Sequence, residues 1–192
     1  MTRGLELLNA AAESGFPHAA YVLGDAYQHG EGVEPDAELA ERWYQQASDA
    51  GALHARTELG LALMRGQGAI GQDVQRGFDL LQDAASQGHA GAQASLGREY
   101  LNGDNVEQDT ERGASYLYEA ASQGHQSARL ALARAYLLAR GFENPNQQQA
   151  MLWLENLIDR EGQLAVETLR QLLIEEDAFA AIDTELETLY EE

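Results

Sequence analysis

The stretch AASQGHAGAQASLGREYLNG, Ala84 to Gly103, holds four glycines in twenty residues. Glycine-rich turns that open a helix can cradle phosphate, because bare backbone N–H groups point at the anion. Five histidines (His18, His29, His54, His89 and His125) offer imidazole ligands for a metal. The segment NGDNVEQD, Asn102 to Asp109, offers oxygens for calcium. Trp43 and Trp153 offer ring faces. Other chemistry is excluded outright. The chain has no cysteine and all 12 basic residues are arginine, so a thiol nucleophile, a Schiff-base lysine and a P-loop lysine are impossible. Neither H-E-x-x-H nor G-x-S-x-G occurs.

The glycines find a different explanation in the internal period. Gly15, Gly51, Gly88 and Gly124 are spaced by 36, 37 and 36 residues, and one further step of 37 reaches Glu161. Relative to these anchors, offset +8 is always leucine: Leu23, Leu59, Leu96, Leu132 and Leu169. Offset +4 is always alanine, from Ala19 through Ala55, Ala92 and Ala128 to Ala165. Offset −8 is large (Leu7, Trp43, Leu80, Tyr116, Trp153) and offset −11 is small (Gly4, Ala40, Gly77, Gly113, Ala150). Five copies in register make this a repeat array of helix pairs, since both sets of offsets fall on one helical face.

Within each repeat, the helix after the anchor (helix A) precedes a turn and a second helix (helix B). Gly24, Gly60 and Gly97 at offset +9 cost ~1 kcal/mol each inside a helix, so their recurrence predicts close packing against the paired helix. The turns HGEGVEPD, RGQGAIGQD and NGDNVEQD supply glycines for positive φ, and Asp36, Asp73 and Asp109 are placed to cap helix B.

The pattern A-x-x-x-L-G-x-x-Y-x-x-G-x-G-V, followed by D and W-Y-x-x-A-A-x-x-G-H, resembles the Sel1-like repeat, a relative of the tetratricopeptide repeat. LGDAYQHGEGV (Leu23–Val33) and ERWYQQASDAG (Glu41–Gly51) carry it best, and the likeness runs over roughly residues 3 to 175. It departs at Ala133 and Ala139, where glycine is expected, and in the fifth copy, which lacks the anchor and the G-x-G turn. The resemblance implies an all-α fold, a right-handed α-solenoid occupying residues 1–192 as a single array. Four full repeats, a degenerate fifth and a C-terminal capping helix over about 178–190 are expected. Helices are predicted at roughly 3–14, 17–29, 36–49, 53–65, 73–86, 90–102, 109–122, 126–139, 147–160, 163–174 and 178–190.

The candidate ligand groups fit this frame. His18 and His54 share offset +3 and His89 and His125 share +1, all at helix starts. Neighbouring copies would stand ~10 Å apart, too far for one ion. No metal, cofactor or catalytic residue is expected. NGDNVEQD does not follow the calcium-loop spacing, and the tryptophans hold a core offset.

A partner would meet helix A, whose offsets +3, +6, +10, +13 and +14 should line a groove. That face holds Tyr21, Asp25, Leu61, Met64, Arg65, Arg98, Leu101, Asn102, Arg134, Leu137 and Leu138. Apolar groups edged by Arg65, Arg98 and Arg134 suit a peptide or helix bearing a carboxylate. The same arginines could instead pair with Glu58, Glu99 or a neighbouring acid. A net charge of −20 disfavours nucleic acid and favours a basic protein partner. Residues 161–192 contain ten acids against one arginine, hence a net −9.

No apolar run reaches the ~20 residues of a membrane span, so membrane insertion is not expected. Localisation reads as cytoplasmic, or periplasmic if a leader has been removed. The function expected is non-enzymatic: a protein-binding scaffold or adaptor, with regulation or neutralisation of a basic effector within that class. Bacterial relatives of the repeat act in this way. A hydrolase-type enzyme and a purely structural homo-oligomer are the alternatives.

Overall fold

A computed structural model describes residues 3–153 apart from 67, 144, 145, 147 and 151. Its ordered elements are α1 (Arg3–Glu13), α2 (Pro17–His29), α3 (Ala37–Asp49), α4 (Leu53–Arg65), α5 (Val74–Ser86), α6 (Ala90–Asn102), α7 (Thr110–Ser122) and α8 (Gln126–Leu137). Residues 148–150 and 152–153 are also helical and open the element expected over 147–160. No strand occurs among the described residues, as the repeat predicts. The helices expected over 163–174 and 178–190, with the acidic C-terminal stretch, lie outside the described residues. The chain divides into two compact units, Met1–Leu96 and Gly97–Glu192, the division falling within α6.

In the N-terminal unit the core runs through Leu23, Ala40, Tyr44, Ala47, Ala55, Leu59 and Ile70. The glycines at offset +9 sit where helices A and B touch. A Cβ on Gly24 would lie 2.7 Å from Cδ1 of Tyr44, and one on Gly60 would lie 3.0 Å from Cγ of Leu81 and from the carbonyl oxygen of Gly77. In the C-terminal unit a Cβ on Gly97 would lie 2.7 Å from Cγ of Leu117. In each case the intruding side chain stands at offset −7, one residue past the position whose large residues the sequence emphasises. Leu81 and Leu117 are fully buried, whereas Leu80 and Tyr116 at offset −8 are only half-buried.

The approach is reciprocal. The small residue at −11 on helix B receives the side chain at +13 on helix A: Cβ atoms on Gly77 and Gly113 would lie 2.7 and 2.9 Å from Cγ of Met64 and Leu101. Met64 and Leu101 are consequently buried, at 1% and 6% exposure. The expectation that offset +13 lines an open groove is therefore corrected. Offset +13 stands one helical turn beyond +9 and shares its stripe towards helix B.

Each turn closes the hydrogen-bond account of the helix it follows. The anchors Gly15, Gly51, Gly88 and Gly124 hold φ between 85° and 91°. At the far end of helix A, glycines at offset +15 (Gly30, Gly66, Gly103) are left-handed and donate to the carbonyls of Ala26, Ala62 and Glu99 at 2.8, 2.9 and 2.8 Å. Asp36, Asp73 and Asp109 cap α3, α5 and α7 by accepting from the N–H of Leu39, Arg76 and Arg112. Their own N–H groups donate to the carbonyls of Tyr27, Leu63 and Tyr100. The fourth repeat keeps the device with Asn146, which accepts from Gln149 N–H at 3.0 Å and donates to Tyr136 O at 2.9 Å.

Ala139 holds the same left-handed corner with φ 52°, where its predecessors are glycine. An L side chain there costs roughly 1–2 kcal/mol. Ala139→Gly should therefore stabilise the fold by about 1 kcal/mol, read as a higher midpoint in urea unfolding. Gly97→Leu should do the opposite, losing ~1–3 kcal/mol or more through overpacking against Leu117 and Gly113 despite leucine's better helix propensity. A stabilised Gly97→Leu protein would show that these glycines are only helix weaknesses.

Candidate protein-interaction face

The face of helix A turned away from helix B carries offsets +3, +6, +7, +10 and +14. In the N-terminal unit it begins with His18 and Tyr21 on α2, whose rings stand 6.0 Å apart. Tyr21 meets His54 of α4 at 4.7 Å and Tyr44 of α3 at 6.0 Å. Gly24 leaves room for the Tyr44 ring to cross between the helices, and its hydroxyl then donates to Asp25 Oδ1 at 3.2 Å. Burial raises the pKa of both tyrosines, and the carboxylates of Asp25 and Glu58 raise it further. Both phenols are neutral hydrogen-bonding groups at any physiological pH. Asp25 also faces His29 Nδ1 at 3.3 Å, and Glu58 faces His54 Nδ1 at 4.0 Å. Leu61 is half-buried and Arg65 exposed beside them.

The histidines approach more closely than the expected ~10 Å: the rings of His54 and His89 are 6.0 Å apart. The two stand at different offsets in consecutive repeats, which brings them together. His89 Nδ1 faces Thr57 Oγ1 at 2.8 Å and the N–H of Ala92 at 3.3 Å, a structural engagement at the start of α6. Among the described residues, no group of three or more His, Cys, Asp or Glu is arranged to hold a metal ion. The oxygen-rich turn is turned inward on itself. Asn105 donates to Glu99 Oε2 at 2.8 Å, Asn102 donates to Asp104 Oδ2 at 3.3 Å, and Asp109 is the helix cap.

In the C-terminal unit the same face carries Arg98, Asn102, Arg134 and Leu138, while Leu137, at +13, falls on the other stripe. Arg98 and Asn102 are exposed and Arg134, Leu137 and Leu138 half-buried. The arginines of helix A divide by offset. At +5, Arg56 donates to Ser48 Oγ at 2.8 Å and is paired with Asp83, while Arg129 donates to Ala121 O at 3.2 Å. Gln93 takes the same offset and donates to Ala85 O at 3.4 Å. These +5 groups tie helix A to the preceding helix B. Arg98 at +10 and Arg65 at +14 are exposed, and neither joins an ion pair among the described residues, whereas Arg134 at +10 is half-buried. Glu58 and Glu99, the expected internal partners, are taken by His54 and Asn105. Sequence reasoning missed the +5 role, although the pairing of Arg56, Gln93 and Arg129 at one offset was a visible signal.

Trp43 is buried with the guanidinium of Arg42 5.3 Å from its ring, and Trp153 stacks edge-on with Tyr118 at 5.7 Å. Both are packed side chains.

Comparison with known proteins agrees with this geometry. The Sel1 repeat matches residues 17–51, 53–89, 90–125 and 126–160, together three-quarters of the chain. The chain is a Sel1-repeat protein. A protective antigen of uropathogenic Escherichia coli strains, with an SLR fold, is similar at 28% identity and TM-score 0.75, over 88% of this chain and 36% of that one. A Sel1 repeat protein from Oxalobacter formigenes is similar at 32% identity and TM-score 0.71, over 88% of this chain and 48% of that one. An uncharacterized protein of Neisseria meningitidis serogroup B is 42% identical over 50 residues, 26% of this chain and 11% of that protein. The chain thus spans less than half the length of these relatives. Sel1-repeat proteins in general mediate protein–protein interaction and are non-enzymatic scaffolds. None of the helices among the described residues is long and apolar enough to cross a membrane.

His125, beside this face, titrates below the ordinary imidazole value because burial, and then the Arg98 charge, disfavour its cation. Arg98→Ala should raise the His125 pKa part of the way back, leaving the contribution of burial, as read by imidazole proton shifts across a pH series. The sign for stability follows. The unfolded chain takes up this proton first, so stability falls as pH drops through the ordinary imidazole range towards the lower folded pKa. The loss should be smaller in the Arg98→Ala protein.

Proposed function

We propose that this Sel1-repeat protein is an adaptor without catalytic activity, binding a partner protein along the outward face of its A helices. The observation that carries this reading is the exposed state of Arg65 and Arg98, each beside leucine, in a chain of net charge −20. An excess of acid ordinarily consumes arginines in ion pairs, as Arg56–Asp83 and Arg76–Glu41 illustrate. Arginines kept in the open on a leucine-bearing face suit bidentate recognition of a partner's carboxylates. Tyr21, with His54 and Asp25, supplies a rigid aromatic and polar contact of the kind enriched at interfaces. The acidic balance favours a partner of net positive charge, attracted over distance and held by local contacts.

The test is proteome capture from the bacterial source with three forms of the full chain. The paired substitution Leu61→Asp and Arg65→Ala, and the paired substitution Arg98→Ala and Arg134→Ala, should each weaken capture of a specific partner. The arginine pair should act mainly by speeding dissociation. Glu38→Gln with Glu111→Gln, on the B helices, should leave affinity within about threefold and mainly slow association at low salt. Capture abolished by the B-helix pair and untouched by both A-helix pairs would place the interface elsewhere.

A further inference from the structure

Within the N-terminal unit, the outward face of α2 and α4 is ordered by chemistry. Tyr21, Asp25 and His29 follow at four-residue steps on α2, and His54, Glu58, Leu61 and Arg65 at steps of four, three and four on α4. Each set therefore forms one row along its helix. The rows begin with a ring pair, Tyr21 and His54 at 4.7 Å. One turn further stand two carboxylates, Asp25 and Glu58, each side chain 35% exposed. The phenol of Tyr44 lies beneath them, and the fields of both carboxylates reach it and the phenol of Tyr21. Beside Glu58, a hollow of about 60 Å³ is lined by Tyr44, His29, Leu61 and Arg65. Neither carboxylate is paired with an arginine among the described residues. Asp25 uses Oδ1 for the Tyr44 hydroxyl and for the nearby His29 Nδ1. Glu58 Oε1 stands 4.0 Å from His54 Nδ1, beyond a hydrogen bond.

We propose that this face seats an arginine of the partner protein, with its stem across the Tyr21–His54 rings and its guanidinium bonded to the carboxylates of Asp25 and Glu58. The inference rests on the adaptor reading and names the side chain that the N-terminal unit takes from a basic partner. The chemistry selects this occupant. Two carboxylates one turn from a pair of rings match a cation that is planar, carries several donors and stacks on aromatic faces, which describes guanidinium better than ammonium. This chain already places its own arginines in that way: Arg112 lies 4.5 Å from the ring of Tyr100 and Arg42 lies 5.3 Å from that of Trp43. A metal ion would need more ligands, and no group of three or more His, Cys, Asp or Glu is arranged to hold one among the described residues. A free arginine would bring its own carboxylate against Asp25 and Glu58, whereas an arginine within a chain brings none. A water-sized group needs about 10–15 Å³ of cavity, so the hollow beside Glu58 gives head room to a guanidinium and excludes a helix. Arg65 stands seven residues beyond Glu58, about 10 Å along the helix, which confines an incoming cation to the carboxylate end.

The experiment is a titration of the full ¹⁵N-labelled chain, followed by amide and tyrosine-ring shifts. The probes are acetyl-Ala-Ala-Arg-Ala-Ala-amide, the same peptide with lysine or with citrulline in place of arginine, and free L-arginine, each to several millimolar. The arginine peptide should shift Tyr21, Asp25, His54, Glu58 and Leu61 saturably. Citrulline keeps the shape without the charge, and its peptide should bind at least about tenfold more weakly. The lysine peptide and free arginine should fall between the two. Glu58→Gln leaves every hydrogen bond described for this face in place, so its spectrum reports an intact fold, and it should weaken the arginine peptide by about tenfold. Glu38→Gln with Glu111→Gln should leave that affinity unchanged. Equal binding of the arginine and citrulline peptides, tighter binding of lysine or free arginine, or no shift with any probe would each overturn the assignment. So would unaltered affinity in Glu58→Gln, or shifts spread over the acidic surface, which would mean net charge acting alone. Its failure is separable from that of the adaptor reading. If the arginine peptide fails but the Leu61→Asp, Arg65→Ala protein still loses its captured partner, only the arginine seat is wrong.

Discussion

Everything in this repeat depends on how closely helix A approaches helix B. The contact is made at two reciprocal points: a glycine at +9 under a large side chain at −7, and a small residue at −11 under the side chain at +13. Gly60 with Leu81 and Gly77 with Met64 form one such pair; Gly97 with Leu117 and Gly113 with Leu101 form another. Glycine inside a helix costs about 1 kcal/mol against alanine, and it persists here because a Cβ would collide with backbone as well as side chain. The carbonyl of Gly77 lies 3.0 Å from a Cβ on Gly60, and the carbonyl of Gly113 lies 3.0 Å from one on Gly97. A backbone contact cannot be relieved by a rotamer change, so the helix pair would have to separate.

Close approach has a consequence at the ends of the helices. A short, tight corner leaves the last carbonyls of helix A near the start of helix B, and the turn uses them. The carbonyl at +11 accepts from the left-handed corner or the residue after it, that at +12 accepts from the cap residue's N–H, and that at +13 accepts from Gln72 or Gln108. Asp36, Asp73, Asp109 and Asn146 thus join two helices through one residue, accepting with the side chain and donating with the backbone. This explains why an amide can replace the acid at Asn146. The geometry needs an oxygen acceptor of that length, and the charge is a small addition through the helix dipole.

Much of this was legible in one sequence because the repeats are copies. The helix pairs, the leucine at +8, the buried alanines at +4 and the aspartate caps could be read from register alone. Offset +13 was misread for a physical reason. Gln28, Met64, Leu101 and Leu137 differ in polarity, and a buried glutamine looks like a surface residue until its partners are seen. Gln28 is 3% exposed because its Oε1 accepts from Ile70 N–H at 2.9 Å and its carbonyl accepts from Ala69 N–H at 3.1 Å. The large residue at −8 drew the eye for the opposite reason: Trp43 and Tyr116 are conspicuous, while the residue that fills the glycine notch stands beside them. The +5 donors were passed over because Arg56 and Arg129 share their offset with Gln93, and a recurring donor function is less conspicuous than a recurring residue type. Ala139 could be identified as a departure, but only the backbone shows that it keeps the glycine conformation at a cost.

With no lysine in the chain, each cation is a rigid planar fork with no tendency to lose its proton. At +5 the fork is folded back on a carbonyl or hydroxyl of the preceding helix and serves the stack. At +10 and +14 the stem leaves the helix on the side away from helix B, and there Arg98 and Arg65 are exposed. The helical period alone makes this separation: +5 lies on the side facing the preceding helix B, whereas +10 and +14 belong to the stripe of +3 and +7. Acids on the B helices do not neutralise these heads across the thickness of a helix pair, about 10 Å, which is already a Debye length at physiological salt. A strongly acidic protein therefore keeps two arginines, Arg65 and Arg98, exposed at outward offsets of its A helices.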